Sequence, residues 1–278
     1  MGEGHADAVG SVCMSQRIAT YTSKIAFMIS GAGDKILKRW PLPVHSFAPL
    51  TGLNGKENND ILKLAVSHNV RAHDKDINTL AVSPNDSMCA SGSQDKAIRL
   101  WRTSDLTPIA SLSGHKRGIW KVVFSPVDRC LASCSGDRTI RLWSVVDYTC
   151  LRVFEGHTAS VLTVKFANKG MQLLSGAADG LIKLWTIRSG ECENTFDLHS
   201  DRVWALAVGH TNTNSAEDTS SMFFSGGSDS KLLVWGDATQ SEETKRLDEA
   251  EQGLLAEQQL QNDIRNKRYD RVRHFLLF

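Results

Sequence analysis

A step of 42 residues runs through this chain in three residue types at once. His73, His115, His157 and His199 stand 42 apart, and so do Trp101, Trp143 and Trp185, and Asp95, Asp137 and Asp179. Chance does not put three residue types in register like this. The step restricts the chain to a fold built of repeated units, each too small to bury its own apolar face and therefore stacked on its neighbours. Within a unit the apolar positions follow the period of a strand. Ile77, Leu80 and Val82 recur as Ile119, Val122 and Phe124, as Val161, Val164 and Phe166, and as Val203, Leu206 and Val208. The segment before each Trp alternates too, as in Lys96-Ala97-Ile98-Arg99-Leu100-Trp101, with Ile98 and Leu100 on one face. Units of four short strands, with His near one end and Asp near Trp at the other, predict an all-β fold made of β-propeller blades.

Five sets align on four positions. They are His5, Ser30, Asp34 and Trp40; His73, Ser91, Asp95 and Trp101; His115, Ser133, Asp137 and Trp143; His157, Ser175, Asp179 and Trp185; and His199, Ser225, Asp229 and Trp235. In all five the Ser is four before the Asp and the Asp six before the Trp. A buried carboxylate, imidazole and hydroxyl are costly unless each finds a partner. Asp accepts, His and Ser do both, and the indole donates, so the four types can satisfy one another. A Ser–His–Asp group can also read as a hydrolase triad, but that chemistry needs one exposed nucleophile beside an oxyanion hole. Five equal copies without a Gly-x-Ser-x-Gly elbow point to structural tetrads and to no catalytic residue.

The blades are expected over 1–236, with repeats at about 1–43, 72–105, 114–147, 156–189 and 198–236. His73 lies 33 residues after Trp40, against 14 from Trp101 to His115, so an insertion occupies 44–71. Smaller excesses of seven and eight lie in the first and last units, the latter near 211–220. All are polar and read as surface loops. After Trp235 the pattern stops. Thr239-Gln-Ser-Glu242 resembles a capping box, and 237–278 is expected to be a helical tail with a thin apolar stripe. Trp235 falls in a third strand with no following repeat to supply a fourth, so open blade edges are expected if this chain stands alone.

Charge and cysteine usage narrow the function classes. There are 32 basic and 31 acidic residues. That balance lacks the basic excess of a bare nucleic-acid-binding domain. No apolar run approaches the roughly 18 residues of a membrane helix, and the start has no secretory pattern. The cysteines, Cys13, Cys89, Cys130, Cys134, Cys150 and Cys192, fall mainly in strand segments and read as reduced packing residues. Cys130 and Cys134 have no second Cys/His pair to complete a zinc site, so no metal or cofactor is expected.

A candidate partner surface comes from a break in alternation. Five residues after each His stand Gly10, Asn78, Trp120, Leu162 and Trp204. His+4, His+7 and His+9 are apolar, so a bulge is expected at His+5 that turns it outward. Asn78, Trp120, Leu162 and Trp204, flanked by Arg117 and Arg202, then form a surface of the composition that interfaces favour; the alternative is that both Trp residues pack between blades.

With these units in view, the sequence resembles the transducin beta-like protein 3 family of WD-repeat proteins. The resemblance is carried by Leu37-Lys-Arg-Trp-Pro-Leu-Pro43, Ala72-His-Asp-Lys-Asp-Ile-Asn78, Ser113-Gly-His-Lys-Arg-Gly-Ile-Trp120, Phe154-Glu-Gly-His-Thr-Ala-Ser-Val161, Asp179-Gly-Leu-Ile-Lys-Leu-Trp-Thr-Ile187 and Gly227-Ser-Asp-Ser230. The tail segments Glu257–Asn262 and Asn266–Tyr269 distinguish it from other WD-repeat families. The resemblance implies most of a second propeller and the opening of a C-terminal helical domain; the ending Arg273–Phe278 departs from the family. It also implies a non-enzymatic scaffold in the nucleolus, in the small-subunit processome that matures pre-18S ribosomal RNA. The implied partners are other UTP-B proteins, with U3 small nucleolar RNA and pre-ribosomal RNA contacted indirectly, and with no membrane or small-molecule substrate. The rival reading is an adaptor of another complex, such as a ubiquitin-ligase substrate receptor.

Overall fold

The computed structural model describes residues 4–16, 26–42, 64–210 and 221–236. Two compact units divide the chain, 1–209 with 223–234 and 210–222 with 235–278. The first carries the blades. The described residues of the second are strand ends at 210, 221–222 and 235–236. The expected helical tail, its capping box and the 211–220 loop lie outside the described residues.

Strands form where apolar and β-branched residues alternate between Gly-, Ser- and Asp-rich turns. The first sheet runs β1 (Val9–Met14), β2 (Ala26–Ala32), β3 (Ile36–Leu42), β4 (His68–Arg71). The second runs β5 (Ile77–Val82), β6 (Met88–Ser93), β7 (Ile98–Arg102), β8 (Pro108–Leu112). The third is β9 (Ile119–Phe124), β10 (Cys130–Ser135), β11 (Ile140–Ser144), β12 (Cys150–Phe154), and the fourth β13 (Val161–Ala167), β14 (Gln172–Ala177), β15 (Ile182–Thr186), β16 (Cys192–Phe196). The fifth has three strands among the described residues, β17 (Val203–His210), β18 (Ser221–Gly227) and β19 (Leu232–Trp235). In the four complete sheets the strands pair antiparallel in chain order. These are propeller blades, as the repeat predicts. The outer strand precedes the next His, so β4 occupies the end of the 44–71 stretch.

The hydrophobic core is divided by blade pair. Phe27, Ile29 and Leu37 of the first blade share one cluster with Ile77, Leu80 and Trp101 of the second. Ile98 and Leu100 of the second share the next with Ile119, Val122 and Trp143 of the third. Ile140 and Phe154 of the third share another with Val161, Val164 and Trp185 of the fourth. Trp101, Trp143 and Trp185 thus pack into the seam with the preceding blade. Phe154 meets Trp185 edge to face at 5.8 Å. Polar links cross two of the seams: Ser11 Oγ accepts from Leu80 N at 3.0 Å, and Thr79 Oγ1 from Val122 N at 3.2 Å.

The cysteines are unpaired strand residues, with Cys89, Cys130 and Cys134 buried. Burial pushes the Cys13 thiol up to about 12 and raises Cys89, Cys130 and Cys134 as well, so these are packing groups rather than nucleophiles. Among the described residues no helix is long and apolar enough to cross a membrane, and no group of three His, Cys, Asp or Glu side chains is placed to hold a metal ion.

Candidate functional site

The tetrads close as hydrogen-bonded chains. The Trp indole donates to the Ser hydroxyl at 2.8 Å in the pairs Trp40–Ser30, Trp101–Ser91, Trp143–Ser133 and Trp185–Ser175. Each Ser Oγ lies 2.7–2.8 Å from the Nε2 of its His, in all five sets including His199–Ser225. Each His Nδ1 in turn faces its Asp, at 2.9 Å for His115–Asp137 and 3.0 Å for His199–Asp229. The network fixes the tautomer: Nδ1–H donates to the carboxylate, Nε2 accepts from the serine, and the serine accepts from the indole. The same Asp also receives the backbone N–H of the residue after the His and that of the second residue after itself. For Asp137 these are Lys116 N at 2.8 Å and Thr139 N at 3.1 Å. One carboxylate therefore ties the loop before the inner strand to the turn between the second and third strands. The serines are buried, Ser91, Ser133 and Ser175 fully, leaving no path to an attacking hydroxyl.

Electrostatics follow from that wiring. Burial pushes the carboxyls of Asp34, Asp95, Asp137, Asp179 and Asp229 up, but the bonds from His and backbone N–H outweigh it and hold all five below the ordinary range. Burial lowers His73 and His157, against the pull of Asp95 and Asp179. Both shifts make the unfolded chain bind protons more readily than the folded one in acid. Stability is then full at neutral pH. It declines as pH falls below about 6.5, where unfolded histidines charge, and again below about 4, where unfolded carboxylates protonate. Calorimetric melting temperatures between pH 8 and 3 are expected to fall in those two windows; a temperature rising between pH 7 and 5 rules this out.

Sequence reasoning missed a fifth tetrad associate, a cation four residues after the Asp. Lys38 Nζ donates to Gly4 O and Arg99 Nη1 to Ala72 O, both at 2.5 Å, in each case the carbonyl just before the His. Arg141 holds the same register, its guanidinium 5.9 Å from the Trp143 ring. The signal was present in the sequence as Lys38, Arg99, Arg141 and Lys183, two residues before the Trp of the first four blades, with Leu233 at that position in the fifth.

The His+5 positions behave in part as the pattern predicts. The strand registers slip at Gly10, Asn78, Trp120 and Leu162, a bulge in each of the four complete blades. The expected continuous patch does not result. Leu162 is 7% exposed, turned into the core, because an apolar side chain at a bulge gains more from burial than from water. Asn78 is half-buried and donates its amide to Ile119 O of the next blade at 2.7 Å, a seam contact rather than a free rim group. Trp120 is half-buried against the core shared by the third and fourth blades. Trp204 is 49% exposed, and its indole donates to Ser228 Oγ at 2.7 Å. Arg117 and Arg202 are exposed. The surface offered at the His–Asp end is therefore Trp204 with Arg202, and separately Arg117 with the edge of Trp120.

Comparison with known proteins agrees with this architecture. The model for "WD domain, G-beta repeat" matches residues 64–102, 106–144, 148–186 and 190–236. The chain is 42% identical to transducin beta-like protein 3 of Rattus norvegicus over 117 residues, 42% of this chain and 13% of that protein. The human protein of that name is 40% identical over the same length. The U3 small nucleolar RNA-associated protein 13 of Saccharomyces cerevisiae is 36% identical over 116 residues, covering 41% of this chain and 13% of its own length. Only a small part of these relatives is spanned.

Proposed function

Because the chain belongs to the WD domain, G-beta repeat family, we propose that it is a non-enzymatic blade scaffold of ribosome biogenesis, acting in the nucleolus within the small-subunit processome. The carrying observation is the similarity to transducin beta-like protein 3, supported by a yeast relative whose name associates it with U3 small nucleolar RNA. The geometry fits a scaffold. The Ser–His–Asp groups are consumed by blade fastening, and what faces outward at their end is Trp204, Arg202, Arg117 and the rim of Trp120. The partners of this reading are other processome proteins, with U3 RNA held through them.

Affinity purification of the tagged protein tests it. Processome proteins and U3 RNA are expected to co-purify, and a Trp120→Ala, Trp204→Ala double variant is expected to lose at least one protein partner with its melting preserved. Recovery of cullin-type ligase subunits in place of processome proteins favours the adaptor reading and overturns this one. Intact co-purification by the double variant removes the Trp pair from the contact surface.

A further inference from the structure

The third blade differs from the others at its His–Asp end. The two residues after each His and the one after each Asp are Ala6, Asp7 and Lys35 in the first blade, Asp74, Lys75 and Lys96 in the second, Thr158, Ala159 and Gly180 in the fourth, and Ser200, Asp201 and Ser230 in the fifth. In the third blade all three are cations, Lys116, Arg117 and Arg138. All three are exposed, and none has a carboxylate within ion-pair distance among the described residues. They line one cleft of about 600 Å3 with Gly136 and, from the fourth blade, Thr158 and Ser160. Asp137 also borders it, but that carboxylate is taken up by His115, Lys116 N and Thr139. Glu155 lines an adjoining hollow of about 400 Å3 that Lys116 and Arg138 also border, without coming within ion-pair distance of either. Three like charges held together repel one another unless an anion joins them.

A second feature points into the same cleft. In the fifth blade Trp204 Nε1–H is satisfied by Ser228, the residue just before the tetrad Asp. In the third blade that position is Gly136, which has no side chain to offer. A Cβ there would lie 3.5 Å from Trp120 Nε1 and 3.5 Å from Arg117 Cβ, so the indole edge and the arginine flank the empty position. No acceptor for Trp120 Nε1–H is found among the described residues. Three cations thus line the cleft, and the Trp120 indole N–H stands beside it at Gly136.

We infer that this cleft between the third and fourth blades docks an acidic peptide segment of a partner protein, whose carboxylates meet Lys116, Arg117 and Arg138 while one acceptor oxygen takes the Trp120 indole N–H. The inference rests on the reading of the chain as a partner-binding scaffold and names the chemistry of the partner. A peptide is favoured over a nucleic-acid backbone because the uninterrupted cluster of cations is confined to one blade, while Lys75 and Lys96 of the second blade and Arg202 of the fifth stand among exposed carboxylates. A phosphodiester chain crossing this end of the blades meets exposed Asp74 and Asp76 on one side and Asp201 on the other, which disfavours an extended polyanion.

The test uses the purified 278-residue chain and three fluorescent probes: a dodecapeptide rich in Asp and Glu, the same peptide with every acid replaced by its amide, and a dodecamer of uridylate. The acidic peptide is expected to bind, the binding to weaken between 0.1 and 0.5 M salt, and the amide peptide not to bind. Gly136→Ser is the discriminating variant. Its Cβ fits at ordinary contact distance, and its hydroxyl takes the indole N–H as Ser228 does for Trp204. It is expected to leave melting unchanged and weaken the acidic peptide at least tenfold, as is Arg117→Ala with Arg138→Ala. Equal affinity of Gly136→Ser and the parent chain, equal binding of the amide peptide, or tighter binding of the uridylate each overturns the inference. These titrations do not depend on what co-purifies from cells, so failure here is distinguishable from failure of the processome reading.

Discussion

Asp137→Ala is expected to lower the melting temperature by roughly 6–12 °C. The carboxylate accepts from His115 Nδ1, Lys116 N, Thr139 N and the Thr139 hydroxyl. Alanine leaves these donors without their acceptor in a seam where His115 is 6% exposed. Each buried donor left unpaired costs about 1–3 kcal/mol. Water reaches the turn end, so a total near 3 kcal/mol is the working figure. For a unit of this size each kcal/mol lowers the melting temperature by about 2–4 °C. Asp137→Asn keeps an acceptor oxygen toward His115 and should fall between the two. Scanning calorimetry of the three chains decides. If Asp137→Ala melts with the parent chain, the tetrads do not fasten the blades, and the Ser–His–Asp groups need another explanation.

Most of the inner architecture was legible in the sequence because the physics that fixes it repeats. His115, Ser133, Asp137 and Trp143 recur in register since each blade must solve the same buried-polar problem, and the bulge at Trp120 was visible as a break in alternation. The outer strands were harder. β16, Cys192–Phe196, is almost wholly exposed and shows no apolar alternation, and β4, His68–Arg71, sits at the end of a polar insertion. Which way a bulged residue turns was not legible either. Leu162 turns in, and Trp204 stays half out because Ser228 is there to hold its indole. That partner lies 24 residues away in sequence, beyond the reach of local pattern reasoning. Arg99 and Lys38 were overlooked for the opposite reason. A cation on a strand reads as a solvated face until its bond to the carbonyl before the His is seen. The cleft at Gly136 is likewise an absence, since what distinguishes it from the fifth blade is a missing hydroxyl.

The seams between blades carry the second large effect. One residue after each tetrad Ser the chain places Gly31, Gly92, Cys134, Gly176 and Gly226, and in the first four blades the inner strand of the next blade begins opposite it, at Ile77, Ile119, Val161 and Val203. At Gly92 an added Cβ would stand 2.7 Å from Ile119 Cγ2 and 2.8 Å from Thr79 Cγ2. Thr79 cannot rotate away freely, because its hydroxyl accepts from Val122 N across the same seam. Gly92→Val therefore forces the second and third blades apart and strains the neighbouring Ser91 tetrad. The expected loss is about 3 kcal/mol, at the upper end for overpacking a filled core. The third blade shows that a Cβ is tolerated when the seam is built for it, as at the fully buried Cys134 facing Val161. Pairing Gly92→Ala with Ile119→Ala, which removes the Cγ2 that the new Cβ would meet, should therefore cost less than the two changes summed, by about 0.5–3 kcal/mol, the signature of a shared contact. Strict additivity of the two in denaturant unfolding would mean that Gly92 is small for a reason other than the approach of Ile119.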